Sequence, residues 1–108
     1  MSSKVLEIAS GSLDPNDKVS KSYPGKFERK NGTLVLSNMR LLFINEEGFL
    51  KKSYTTTLNL PYKEIKKIVG KGSRLELTDA KDRVYVLLSD ISASIVEKAL
   101  RELMKTPP

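Results

Sequence analysis

The chain has 108 residues, a net charge of +6, 39% hydrophobic and 30% charged residues, which is the composition of one soluble globular domain rather than a disordered tail. It contains no Cys and no His, which excludes Ser-His and Cys-His nucleophile pairs and any thiolate or imidazole metal site. No apolar run approaches the ~20 residues of a membrane-spanning helix.

Residues 1–12 are small and polar apart from Val5, Leu6 and Ile8. They read as a poorly ordered segment, a frayed helical turn or an edge strand, outside a domain spanning 13–106. Glu7 interrupts their only apolar patch, so no signal-peptide core is expected there. Together with the lack of Cys this predicts a cytoplasmic protein, peripheral at a membrane at most. Leu13-Asp-Pro-Asn-Asp17 is a turn by composition. A first strand runs from about Val19 to Arg29, with Pro24-Gly25 predicting a kink or bulge, since Pro removes a ladder donor and Gly bends the backbone. Asn31-Gly32 between alternating runs is a hairpin signal. In Gly32 to Ile44 two short apolar runs are parted by Ser37-Asn38, residues that bond to their own backbone and favour a tight turn. Leu34 and Leu36 alternate with Thr33 and Val35, whereas Leu41-Leu-Phe-Ile44 is apolar on both faces, as a strand covered on two sides would be. Asn45-Glu-Glu-Gly48 makes the next turn.

A fourth strand is expected from Phe49 to Leu60, with Tyr54, Thr56, Leu58 and Leu60 on one face, and Pro61 ends it. In Tyr62 to Val69, Ile65 and Ile68 lie three apart, which fits a helical turn as well as a bulged strand. Arg74-Leu-Glu-Leu-Thr78 and Arg83-Val-Tyr-Val-Leu-Leu88 are strands around an Asp79-Ala-Lys-Asp82 turn. Ile91, Ile95, Ala99 and Leu103, flanked by Val96 and Leu100, form an apolar stripe at helical spacing that predicts a core-facing C-terminal helix.

The pattern Gly32-x-Leu34-x-Leu36-Ser37-Asn38-x-Arg40-Leu41-x-Phe43 resembles the signature of GRAM and related prokaryotic PH-like domains. The Leu60-Pro61 strand end, Ile65-x-x-Ile68, two further strands and the last helix follow in the same order, so the resemblance covers roughly Leu13 to Met104. It implies a mainly β, PH-like fold: seven antiparallel strands in two near-orthogonal sheets, capped by one C-terminal α-helix. It also implies that Tyr62 to Val69 is a strand, and that a bent first strand takes part in both sheets. The function implied is a non-catalytic binding module. PH-like domains bind phosphoinositides, peptides, ubiquitin or one another, and the fold does not choose among them.

Among candidate sites, Glu46, Glu47, Asp79 and Asp82 are scattered over turns, so no catalytic residue, metal site or cofactor is expected. Gly70-Lys-Gly-Ser73 lacks the spacing of a phosphate loop. The basic residues fall into two groups. In a PH-like barrel the turns after strands one, three and six share the open end, which would gather Lys26, Arg29, Lys30, Lys51, Lys52, Lys81 and Arg83 into an anion site. The second strand, however, has no basic residue where phosphoinositide-binding PH domains carry theirs, which argues against a tight headgroup pocket. The second group, Lys63, Lys66, Lys67, Lys71 and Arg74, forms a stripe toward the helix-capped end. It is suited to phosphates or an acidic peptide, or simply guards an edge strand against pairing. With few aromatics for stacking, nucleic acid ranks below the other partners. The expected partner is first a protein or peptide segment and second an anionic lipid surface. Self-assembly into a homo-oligomer is a third class, because Leu42 and Ile44 on the second face of their strand need a cover.

Overall fold

Alternating apolar runs punctuated by Gly-, Asn- and Asp-containing turns leave the chain little choice but an antiparallel meander. The computed structural model describes residues 3–105. A helix α1 (Ser3–Gly11) precedes strands β1 (Val19–Phe27), β2 (Lys30–Ser37), β3 (Arg40–Glu47) and β4 (Ser53–Pro61). A single 3-10 turn, Tyr62–Glu64, leads to β5 (Ile65–Lys71), β6 (Arg74–Asp79), β7 (Val84–Ser89) and helix α2 (Ala93–Lys105).

Hydrogen bonding joins all seven strands into one sheet, in the order β4-β3-β2-β1-β7-β6-β5, rather than two. β1 is the junction. It pairs with β2 from end to end, and its last three residues, Gly25–Phe27, pair on the other side with β7. A Cβ at Gly25 would run into the carbonyl oxygen of Leu88, so only glycine lets β7 approach there. The register shift expected at Pro24-Gly25 lies instead between Val19 and Lys21. β4 and β5 stand at the two ends of the sheet and do not pair with one another, so the sheet stays open.

The inner face holds the main core. Phe27, Leu36, Phe43, Leu75, Leu77 and Leu87 meet Val96 and Leu100 of α2. The rings of Phe27 and Phe43 pack tilted at 56° with centroids 5.7 Å apart. The buried stripe of α2 is Ala93, Val96, Ala99 and Leu100, with Leu103 beside it. Ile95, placed on that stripe by the sequence pattern, is 55% exposed, and Ile91 lies before the helix. The rotation is set at the helix start. Ala93 N donates to Gly72 O at 2.8 Å, and the missing side chain of Gly70 lets the Ala93 carbonyl settle against β5.

The outer face of the β2–β4 half is apolar as well, through Val35, Leu42 and Ile44, all fully buried. What buries them is α1, whose Val5 and Ala9 pack there together with Ile8, Leu13, Val19 and Tyr54. Residues 3–11 thus form a helix docked on this face, and Leu42 and Ile44 are covered without a second copy. β4 begins at Ser53, four residues later than the apolar Phe49-Leu50 pair suggests. A register shift opposite Phe43 and Ile44 splits the face read from its alternation: Leu58 and Leu60 enter the main core, whereas Tyr54 packs on the α1 side.

Candidate functional site

The end of the sheet that carries the β1–β2 and β3–β4 connections is built from tight turns. Glu28 and Arg29 form a two-residue turn with positive φ at both positions (52° and 67°), the backbone that matches the twist of a hairpin. Lys30 follows and ion-pairs with Glu47 at the end of β3. Asn45 Nδ2 donates to the same Glu47 oxygen at 2.8 Å, and Lys52 pairs with Glu46. These contacts favour the ionised forms of Glu47 and Lys52. The Lys30 hydrogen bond, then that of Asn45, lowers the Glu47 pKa, and Glu46 raises that of Lys52. Between the paired residues Gly48, at φ 104°, reverses the chain. Phe49 and Leu50 then project into solvent, 95% and 94% exposed. Sequence reasoning assigns this pair to a strand. The signal that marks it as a loop tip is its setting, with Gly48 on one side and Lys51-Lys52 on the other.

The expected open-end group is joined only in part. Lys30 and Lys52 are tied to the β3–β4 connection, and Lys26, Arg29 and Lys51 are exposed on the same two hairpins. Lys81 and Arg83 lie on the β6–β7 turn, which is bonded to the start of β5: Ala80 N donates to Glu64 O at 2.9 Å, and Lys66 pairs with Asp82. Among the described residues no hydrogen bond or ion pair links these two sets. Arg83 is further engaged by Asp79, which is 2% exposed. Asp79 accepts from Lys81 N (2.8 Å), Arg83 N (3.0 Å), Arg83 Nε (2.8 Å) and the Tyr85 hydroxyl (2.9 Å). Burial alone would raise the Asp79 pKa, but these hydrogen bonds outweigh it and hold the carboxyl at about 2. The stability this ionised group contributes is thus complete above its ordinary carboxylate range and is lost as pH falls toward about 2. The arrangement locks a turn.

The second basic group is spread along β5 and into β6. Lys63 sits on the 3-10 turn, Lys66 and Lys67 on β5, Lys71 at its end, and Arg74 starts β6, where it pairs with Glu76. β5 is an end strand, as the edge-guarding reading requires. Two of its backbone groups, moreover, are taken by side chains of α2. Glu97 Oε1 accepts from Gly70 N at 2.6 Å, and Arg101 donates through Nη2 to Ile68 O at 2.9 Å and through Nε to Glu97 at 2.8 Å. An open cavity of about 370 Å³ between β5 and α2 is lined by Ile65, Ile68, Arg101 and Met104 among others, so two residues of this bridge border it.

The other end strand, β4, is nine residues long, has no charged residue, and has β3 as its one strand neighbour. Its exit is held firmly. Tyr62 donates through its hydroxyl to Ser37 O at 2.6 Å and through its backbone N to Met39 O. Ser37 Oγ donates to the buried Asp17 carboxylate at 2.7 Å. Burial, with Asp17 nearby, pushes the Tyr62 pKa upward.

Among the described residues no group of three or more acidic, His or Cys side chains is placed to hold a metal ion, and no helix is long and apolar enough to cross a membrane. Seven antiparallel strands in one open sheet, β1–β4 and β5–β7 joined through β1 and β7, with a C-terminal helix across one face, give the chain a PH-like fold. Residues 13–104 match the bacterial PH domain family, and the chain belongs to it. Solved structures share the fold over nearly their whole length. The C-terminal domain of an unknown protein from Leishmania infantum is 17% identical, with 95% of this chain and 94% of that one covered and a TM-score of 0.66. A pleckstrin homology domain from Shewanella amazonensis is 18% identical, at 96% and 98% coverage and a TM-score of 0.62. A protein with a pleckstrin-homology domain from Shewanella loihica is 19% identical, at 94% and 94% coverage and a TM-score of 0.61. No curated protein matches the chain.

Proposed function

We propose that the protein is a non-catalytic binding module that holds an extended segment of a partner protein by adding it to the free edge of β4. The observation that carries this reading is the contrast between the two ends of the sheet. At β5 the outward N–H of Gly70 and C=O of Ile68 are occupied by Glu97 and Arg101, and lysines line the strand. At β4 the edge is long, uncharged and anchored at its far end by Tyr62. A long, uncharged edge with no strand paired to it is a template for another strand. Main-chain bonds then supply affinity, and alternate side chains supply selectivity. Thr55 and Thr57 are exposed along it and leave room for a partner's side chains.

The test starts from a displayed library of random ten-residue segments selected on the whole chain. Selected peptides should perturb backbone amide resonances along Ser53–Pro61, and Thr55→Lys with Thr57→Lys should weaken them at least about tenfold, as edge lysines do. Peptides that map instead to the groove between β5 and α2 would overturn the proposal. So would a wild-type chain that light scattering shows to be a dimer already paired through β4.

A further inference from the structure

We infer that the β3–β4 loop is a membrane anchor: Phe49 and Leu50 insert into the interfacial layer of an anionic bilayer, with the cations of the two neighbouring hairpins seated on its headgroups. The inference is independent of strand addition at β4. It begins from exposure. Phe49 and Leu50 are 95% and 94% exposed, whereas the next most exposed large apolar residues among those described, Val84 and Ile95, stand at 55%. Two adjacent apolar side chains held almost wholly in water are costly to keep unless some other phase receives them.

The surroundings indicate that phase. The pair sits at the tip of a connection rather than in a concavity, so it offers side chains to a soft layer and no groove to a folded partner. Gly48 fixes the turn into the tip, with a positive φ and a backbone approach to Lys51 that a side chain would block. Lys51 and Lys52 follow at once, and Lys26, Arg29 and Lys30 lie on the adjoining hairpin. Three carboxylates share this end, but Glu46 and Glu47 are each ion-paired, with Lys52 and Lys30. Lys26, Arg29 and Lys51 are left against Glu28. Lysine stems lie along an apolar layer while their ammonium groups reach anionic headgroups, so a collar of this kind suits a tip buried ~5–10 Å deep. Two inserted side chains are a weak anchor by themselves. Attachment should therefore be reversible and should need the anionic lipid as its second signal.

The chain has no Trp, so Phe49→Trp places a single reporter at the tip. With vesicles of equal parts phosphatidylglycerol and phosphatidylcholine, the Phe49→Trp indole emission should shift to the blue and be quenched by lipids brominated on their acyl chains. Phosphatidylcholine vesicles should give neither change. In sedimentation of the otherwise unaltered chain, Phe49→Ser with Leu50→Ser should lower the vesicle-bound fraction at least about tenfold. Arg29→Ala with Lys51→Ala should lower it by roughly tenfold. Both pairs are exposed, so thermal melts should be unchanged, and a matched melt makes a loss of binding attributable to the surface. Sedimentation with anionic vesicles but no blue shift would overturn the inference, because it would mean adsorption by charge alone. No sedimentation would overturn it too, as would a blue shift without vesicles accompanied by dimers in light scattering, which would put the tip in a second copy. Thr55→Lys with Thr57→Lys leaves the tip intact and should still sediment, so the failure of strand addition and the failure of the anchor are separate results.

Discussion

The two helices do the same job on opposite faces of one sheet, yet they are attached in different ways. α2 covers the inner face, where four of its residues are buried, and it also grips the β5 backbone through Glu97 and Arg101. α1 covers the outer face of the β2–β4 half with only Val5 and Ala9 buried. The residues matched to the bacterial PH family, 13–104, include α2 and leave α1 out. α2 is thus part of the sheet's own architecture, while α1 is a lid over an apolar patch that the strands would otherwise show to water. Among the described residues no helix covers the outer face of the β5–β7 half, and Val69, Val84 and Leu88 are 41%, 55% and 44% exposed there.

The sharpest way to break this comparison is Leu100→Asp. It puts an unpaired carboxylate at a fully buried position of α2, which should cost about 4 kcal/mol or more and abolish the cooperative melt. A melting temperature within a few degrees of the parent would show that α2 is not docked as described. Val5→Asp should act on the lid alone. It should cost roughly 1–3 kcal/mol, release α1, and leave the sheet folded with Val35, Leu42 and Ile44 open to a hydrophobic dye or to a second copy. Hydrogen exchange should then rise in residues 3–11 and stay slow in α2; equal acceleration in both helices would mean that the two form one cooperative unit. The smallest effect is expected from Glu97→Ala with Arg101→Ala, at about 1 kcal/mol for each lost backbone contact. Its value is diagnostic, since freeing Gly70 N and Ile68 O should make the β5 edge able to pair and raise self-association. A monomer at all concentrations would show that the lysines alone protect that edge.

Much of the meander is legible in the sequence because period-2 alternation and turn chemistry are local signals. Ser37-Asn38 and the Asp79–Asp82 turn fall where the strands reverse, whereas Asn31-Gly32, expected to make the first hairpin turn, lies inside β2 just past the reversal at Glu28-Arg29. The departures come from terms that local reading does not contain. Phe49-Leu50 extends the apolar run of β4 on paper, but no neighbouring strand is there to receive it. The face of β4 divides because one extra residue opposite Phe43 and Ile44 flips the side chains beyond it. Ile95 fits the helical period, yet the rotation of α2 is fixed by Gly72 and Gly70, far away in sequence. α1 is short, and its burial depends on a patch formed only when β2, β3 and β4 come together. Of the candidate site, the basic residues could be named from sequence, whereas the division between the two hairpins and the β6–β7 turn depends on which strands end up adjacent.

The turn held by Asp79 has a kinetic side. All the hydrogen-bond partners of the Asp79 carboxylate lie within six residues, at Lys81, Arg83 and Tyr85. The comparable lock on the β2–β3 turn joins Asp17 to Ser37 and Met39 across 20 and 22 residues, and Tyr62 to Ser37 across 25. Closing a long loop must precede any gain from the contacts it makes, while a local lock forms as soon as its own few residues meet. The β6–β7 hairpin is accordingly expected to be structured in the folding transition state, with the Asp17 lock following after the barrier. Tyr85→Phe should then slow refolding with little change in unfolding, and Ser37→Ala should chiefly speed unfolding. Stopped-flow chevrons of the two variants measure the order directly, and a reversal of the two patterns would place the nucleus in the β2–β3 half instead.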